Sequence, residues 1–201
     1  MAQARQCAID SLPLPVMQFP LVPGAPAAAT WRAEGADFGR VPTKQQTIFG
    51  DKRHLLVTLG GVIRDFALAP ASASDVAVGA ELLREQVDLT VLGDKAYISA
   101  PLAAALRAER GVDLLTVPRR NQRRQLPAAV ARRRNAARQI VETVNDQLTA
   151  QFGLAAHHAH TLRGLRARLA TKLTAHTLCL YLNRLLGQPN FLQIKPLAFP
   201  N

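Results

Sequence analysis

The sequence predicts an α/β protein: a mixed sheet, made of an antiparallel hairpin plus parallel strands, flanked by helices and followed by a helical C-terminal half. Three observations carry this. Two β-like runs, His54–Leu59 and Val62–Leu68, are separated by Gly60-Gly61, and both turn positions of that dipeptide accept φ > 0, the signature of a hairpin. The run Val87–Tyr97 (VDLTVLGDKAY) is apolar, rich in Val and Leu, and closes at Gly93, the composition of a strand covered on both faces. Ile140, Val144, Leu148 and Phe152 recur at every fourth position and make one apolar stripe along a helix.

Taken in order, Cys7 begins a strand that decays into an extended Pro-rich edge through Leu12, Leu14 and Val16, with Pro13 and Pro15 between them. Asp10 is then an acid inside a strand, where Asp is normally depleted. Residues 19–46 are rich in Pro, Gly and Ala without a sustained period, which predicts a long irregular loop. After the hairpin, Ser72, Ser74 and Asp75 offer N-caps for a helix to about Gln86. The strand ending at Gly93 places Asp94 at its carboxyl end, where the loops of open α/β sheets collect chemistry. Ser99 caps a helix that Gly111 ends, and Val112–Val117 makes a further short strand. Pro127 opens a helix running to Phe152 and Gly153, and a last helix spans about Leu162 to Leu186 with Gly187 as its stop. One domain over residues 1–187 and an irregular tail over 188–201 are expected.

Composition narrows the partners. The 201 residues carry 25 Lys and Arg against 14 Asp and Glu, a net charge of +11. Such a surface attracts polyanions. No run approaches the ~18 consecutive apolar residues of a membrane span, so nucleic acid is preferred to a membrane. Cys7 and Cys179 have neither metal nor redox spacing, which fits a reducing, cytoplasmic setting. Arg119, Arg120, Arg123, Arg124, Arg132, Arg133, Arg134 and Arg138 form a dense run with no acid between Asp113 and Glu142. Unbalanced arginine in that amount argues for duplex phosphate contact, and the lack of interleaved aromatics argues against stacking on single strands.

Three acids stand on three different elements: Asp10 in the first strand, Asp94 after a later one, and Glu142 on a helix, turned away from its apolar stripe. Hard divalent cations require oxygen ligands, and two of them held about 3.5–4 Å apart serve phosphoryl transfer. Spacing alone leaves simpler roles open: Asp94 as a turn cap, and Arg138 and Glu142 as an exposed i,i+4 ion pair of about 0.3–0.5 kcal/mol. His157, His158 and His160 look like a metal cluster, but with no Cys nearby they are expected to be loop or surface histidines.

The segments IDSLPLPV around Asp10, FG-K-HLLVTL-GVI from Phe49 to Ile63, LAPA-S-D from Leu68 to Asp75, LGDKAYIS around Asp94, R-IVETV-QL-QF from Arg138 to Phe152 and AHTLCLYLN from Ala175 to Asn183 occur in this order. With them the chain resembles the catalytic part of the Asp-Asp-Glu (DDE) transposases of bacterial insertion sequences, insertion-sequence family 982 in particular, whose core is RNase H-like. The resemblance implies Asp10, Asp94 and Glu142 as a catalytic triad binding two Mg²⁺ or Mn²⁺ ions. It implies metal-dependent cleavage of double-stranded DNA at element ends and strand transfer to target DNA, by a homo-oligomer in a synaptic complex, in the bacterial cytoplasm at the nucleoid. Lys52, Lys95, Arg119, Arg120, Arg123, Arg124, Arg134 and Arg138 are the expected DNA contacts. Only about nine residues precede Asp10, and Thr149 stands where many relatives carry lysine. Both features motivate a second expectation, a truncated and catalytically inactive remnant that only binds DNA or transposase subunits.

Overall fold

A computed structural model describes residues 5–18, 22, 24–41, 45–116, 128–190 and 192–198, of which 128–131, 133, 134, 196 and 198 by their backbone alone. The strands are β1 (Gln6–Met17), β2 (Asp37–Val41), β3 (Gln46–Thr58), β4 (Ile63–Pro70), β5 (Thr90–Gly93) and β6 (Asp113–Thr116). The helices are α1 (Pro26–Ala33), α2 (Asp75–Leu83), α3 (Ala100–Arg110), α4 (Ala128–Asp146), α5 (Leu162–Leu185) and the short α6 (Lys195–Ala198). Strand order is β2-β3-β1-β5-β6, with β4 also paired to β3. β1, β5 and β6 are parallel neighbours, and β2 pairs antiparallel with β3. The sheet is therefore mixed, with parallel and antiparallel strands, and flanked by helices, an α/β fold.

Local chemistry accounts for most boundaries. The Gly60-Gly61 hairpin forms, with the Gly61 N–H donating to the Thr58 carbonyl at 2.8 Å and Gly61 at φ 81°. The Ser99 hydroxyl accepts from the Leu102 N–H, and Gly111 ends α3 at φ 64° in the left-handed region. The Thr161 hydroxyl caps α5, and Gly187 follows it at φ 66°. Beyond α4 the last turn widens into a π-helical stretch, Gln147–Gln151, before Gly153.

Four expectations are corrected. Residues 19–46 are not one irregular loop, because they contain α1 and β2. Pro26 starts α1 and burial of Ala28 and Trp31 supports it, while β2 exists through its pairing with β3, a non-local cause that no local pattern carries. β3 begins at Gln46 instead of His54, so Asp51, Lys52 and Arg53 are strand residues. β5 begins at Thr90, and Val87, 52% exposed, lies outside it. The tail beyond 187 carries α6. β1 also continues through its two prolines: Leu14 and Val16 face Gly50 of β3, leaving Pro13 and Pro15, which lack N–H donors, to point the other way. At Gly50, φ is 148° and a Cβ would stand 2.7 Å from the Leu14 oxygen and the Val16 nitrogen, so only glycine fits.

The chain divides into two compact units, residues 1–11, 54–67 and 74–144, and residues 12–53, 68–73 and 145–201. The first has a core of Cys7, Ile9, Leu56, Leu83, Val91, Tyr97, Leu106 and Leu114, contributed by β1, the end of β3, α2, β5, the turn after it, α3 and β6. Within the second, Leu165, Leu169, Leu173 and Leu180 give α5 a buried stripe, and the Arg32 guanidinium lies over the Phe38 and Phe49 rings at 5.7 and 5.5 Å.

Candidate active site

Strand register brings the first two acids together. β1 and β5 run parallel with Gln6 opposite Thr90 and Ile9 opposite Gly93. One residue further along, Asp10 within β1 stands beside Asp94, which follows the carboxyl end of the parallel neighbour β5. Asp94 is the N-cap of a single 3-10 turn, Lys95–Tyr97, and its Oδ1 accepts the Ala96 N–H at 2.8 Å. The turn-capping role and the position at the strand end thus coexist in one residue.

The third acid lies in electrostatic reach of the pair. Burial, followed by the negative charge of Asp94, pushes the Asp10 carboxyl up to about 6; Glu142 adds to the rise, while the Ser11 N–H and Arg138 act against it. Arg138 is held more firmly protonated by Glu142 first, with Asp10 and Asp94 contributing. On α4, Arg138 Nε donates to Glu142 Oε1 at 2.7 Å, both side chains being largely exposed, while Ala137, Val141 and Val144 are buried. The apolar stripe therefore packs inward and Glu142 points away from it, as the helical period requires.

Among the described residues no three His, Cys, Asp or Glu side chains are grouped closely enough to hold a metal ion as they lie. Glu142 is engaged by Arg138 and Asp94 by its own turn. The donor chemistry nevertheless suits a hard divalent cation, because three carboxylates supply oxygen ligands, and the charges of Asp94 and Glu142 add to burial in raising the proton affinity of Asp10.

The basic residues divide. Lys95 is exposed in the turn following Asp94. Lys52 donates to the Ala73 carbonyl at 2.6 Å, a tie between β3 and the segment after β4, so its ammonium already has a structural task. Arg134 lies in α4 with only its backbone described, Arg132 is exposed, and Arg119, Arg120, Arg123 and Arg124 fall outside the described residues.

Of the three histidines, His157 lies in a loop, one of the two placements expected, and is buried there. Its Nε2–H donates to the Pro15 carbonyl and its Nδ1 accepts the Ala159 N–H, both at 3.0 Å, and burial depresses its proton affinity. The bonds it makes inside the second unit explain the burial. His158 and His160 are exposed.

Sequence reasoning missed a set of polar residues next to the acids: Ser11, His54, Asp75 and Tyr97. His54 is fully buried and its Nδ1 lies 2.9 Å from the Tyr97 hydroxyl. Its Nε2 is 3.9 Å from Asp75 Oδ1, and the Ser11 hydroxyl donates to Asp75 Oδ2 at 3.3 Å. A polar His inside the otherwise apolar run HLLVTL was the available signal, since a buried imidazole requires partners.

Comparisons with known proteins bear on the same elements. The family model described as Transposase DDE domain matches residues 2–178. No curated protein matches the chain. Among solved structures, the chain is similar to a piggyBac transposase, seen by cryo-EM in a synaptic complex with hairpin DNA, at 14% identity and a TM-score of 0.39. That alignment covers 63% of this chain and 25% of the piggyBac chain, so the chain spans about a quarter of that protein's length. No described helix is long and apolar enough to cross a membrane. With the family model covering most of its length, including Asp10, Asp94 and Glu142, the chain belongs to the DDE-domain transposase family.

Proposed function

We propose that this chain is the catalytic domain of a DNA transposase, cleaving double-stranded DNA and transferring the freed strand, with Asp10, Asp94 and Glu142 as its metal-binding catalytic triad. The observation that carries the reading is the β1–β5 register, which sets Asp10 beside Asp94 at the carboxyl end of β5 within the electrostatic field of Glu142.

Two Mg²⁺ or Mn²⁺ ions held there would supply activation of the attacking oxygen and stabilisation of the leaving one. The chain's own residues do the rest. Strand β1 holds Asp10, and the turn that Asp94 caps after β5 fixes its carboxylate against rotation. Exposed Lys95, beside Asp94, is suited to a DNA phosphate. Arg138 sits between two tasks, pairing with Glu142 and facing the backbone of bound DNA. For Glu142 to become a ligand, its carboxylate must leave Arg138, and a phosphate entering beside the guanidinium is the natural exchange partner. The arginine run from Arg119 to Arg134 would track duplex phosphates. Assembly as a homo-oligomer on element ends and target, in the bacterial cytoplasm, belongs to the same proposal.

A specific observation favours a second reading: the described carboxylates do not form a ready metal cluster, and Glu142 is ion-paired. On that reading the chain binds DNA or transposase subunits without cutting. Incubation with supercoiled plasmid and Mn²⁺ separates the two. Nicking that Asp94→Ala abolishes supports the catalytic reading; nicking equal in wild type and Asp94→Ala overturns the triad. Salt-dependent binding with no metal-dependent product in wild type establishes the second.

A further inference from the structure

Ser11, His54, Asp75 and Tyr97 make one connected polar set in the first unit. Tyr97 is buried, its hydroxyl lies 2.9 Å from His54 Nδ1, and the Ser11 hydroxyl is a second neighbour of it. Ser11 also donates to Asp75 Oδ2, and Asp75 Oδ1 faces His54 Nε2. A carboxylate beside Nε2 favours the proton there, which leaves Nδ1 to accept from the Tyr97 hydroxyl. Four elements meet in the set: β1, the end of β3, the start of α2 and the turn after β5.

Two members are covalent neighbours of the candidate metal ligands. Ser11 follows Asp10 in β1, and strand alternation turns it to the opposite face. Tyr97 closes the turn that Asp94 caps, its N–H donating to the Asp94 carbonyl at 3.2 Å. Each acid is therefore one short link from the same His54–Asp75 pair.

The ring of Tyr97 has little freedom. A Cβ at Gly79 in α2 would stand 2.9 Å from Tyr97 Cδ1, and one at Gly93 would stand 3.3 Å from Tyr97 Cβ, so helix and strand close on it from two sides. Burial first, and then the charges of Asp75 and Asp10, push its hydroxyl well above the usual phenol range.

We propose that the Tyr97–His54–Asp75–Ser11 network, buried at Tyr97 and His54, is a positioning shell, which locks the stretch of β1 bearing Asp10 and the turn bearing Asp94 to one common anchor and so presets their separation for divalent cations. It deepens the metal-dependent reading above and rests on it. The four residues act as positioning residues, through the backbone of the two acids. Outer-shell partners of metal ligands commonly set affinity by 10–100-fold.

The test is Mn²⁺ binding by calorimetry on the full chain, paired with thermal melting, for wild type, Asp10→Asn, Tyr97→Phe and Asp75→Asn. Tyr97→Phe keeps the ring that fills the site and removes one oxygen. The expected result is a Mn²⁺ affinity about 10–100-fold weaker in Tyr97→Phe, with stoichiometry unchanged and a melting temperature within a few degrees of wild type. Asp75→Asn, which removes the anchor's charge, is expected to weaken Mn²⁺ binding in the same range and guards against a Tyr97 variant that fails to fold. A wild-type Mn²⁺ signal that Asp10→Asn removes but folded Tyr97→Phe and Asp75→Asn leave unaltered overturns the positioning role alone. A wild type with no Mn²⁺ signal sensitive to Asp10→Asn, with or without duplex DNA, overturns the metal reading and the shell together.

Discussion

Asp10 and Asp94 are adjacent across a parallel strand pair, one residue beyond the Ile9–Gly93 register, though they lie far apart in the chain. Their mutual repulsion and the partial burial of Asp10 make this a place where negative charge is accumulated at a structural cost, the usual mark of a functional site. Replacing either acid by its amide should therefore abolish metal-dependent nicking, with a loss beyond the roughly 100-fold typical of outer-shell changes. The same substitutions should leave the melting temperature equal to or above that of wild type. Plasmid nicking and thermal melting on one preparation check both halves.

Arg138 and Glu142 form an ion pair at 2.7 Å with largely exposed side chains. Exposed pairs of this kind contribute about 0.3–0.5 kcal/mol, so Arg138→Ala should barely move stability. DNA binding should weaken measurably, because the guanidinium is also the proposed phosphate contact. Thermal melts set beside duplex-binding titrations distinguish this from a structural role, for which both quantities would fall together.

Gly79 occupies an α2 position where alanine would normally be the better helix former. Here the Tyr97 ring fills the space, and a new methyl would meet Cδ1 at 2.9 Å. Gly79→Ala is accordingly expected to destabilise the protein by about 1–3 kcal/mol, read from a denaturant midpoint, against the direction of helix propensity. Stabilisation would show that the ring yields.

His176 is fully buried on α5, with Nε2–H donating to Gln147 Oε1 at 2.8 Å, and burial pushes its proton affinity down to about 4. Between that value and the ordinary histidine range the unfolded chain binds a proton that the native state refuses. The contribution of His176 to stability is therefore present above about pH 6.5 and is lost as pH falls toward 4, with an upper size of roughly 3 kcal/mol. Denaturation at a series of pH values should show this component in wild type and its absence in His176→Gln.

Binding to duplex DNA should be strongly salt-dependent. If as many as eight arginines from Arg119 to Arg138 neutralise phosphates, log K falls against log salt with a slope near −7. Removing Arg123 and Arg124 together should reduce the steepness by about 2. A slope near zero would remove the arginine run from the interface.

Much of this protein was legible in its residues. The Gly-Gly hairpin, the Ser99 and Gly111 ends of α3, the stops at Gly153 and Gly187 and the outward position of Glu142 all follow from interactions within a few residues, where side-chain identity and backbone preference act directly. The charge imbalance and the order of the acid-bearing segments pointed to a phosphate-handling protein and to the family. Tertiary structure alone decided the rest. β2 and the early half of β3 depend on each other for hydrogen bonds, α1 on the burial of Trp31, and His157 on a carbonyl of β1. The Ser11, His54, Asp75 and Tyr97 set is the clearest case: Asp75 read as a helix cap and His54 as a strand member until residues from four separate elements met. The neighbourhood of Asp10 and Asp94 belongs to the same group, because parallel register is set by the packing of whole strands and helices, and no local sequence encodes which residues will face one another across it.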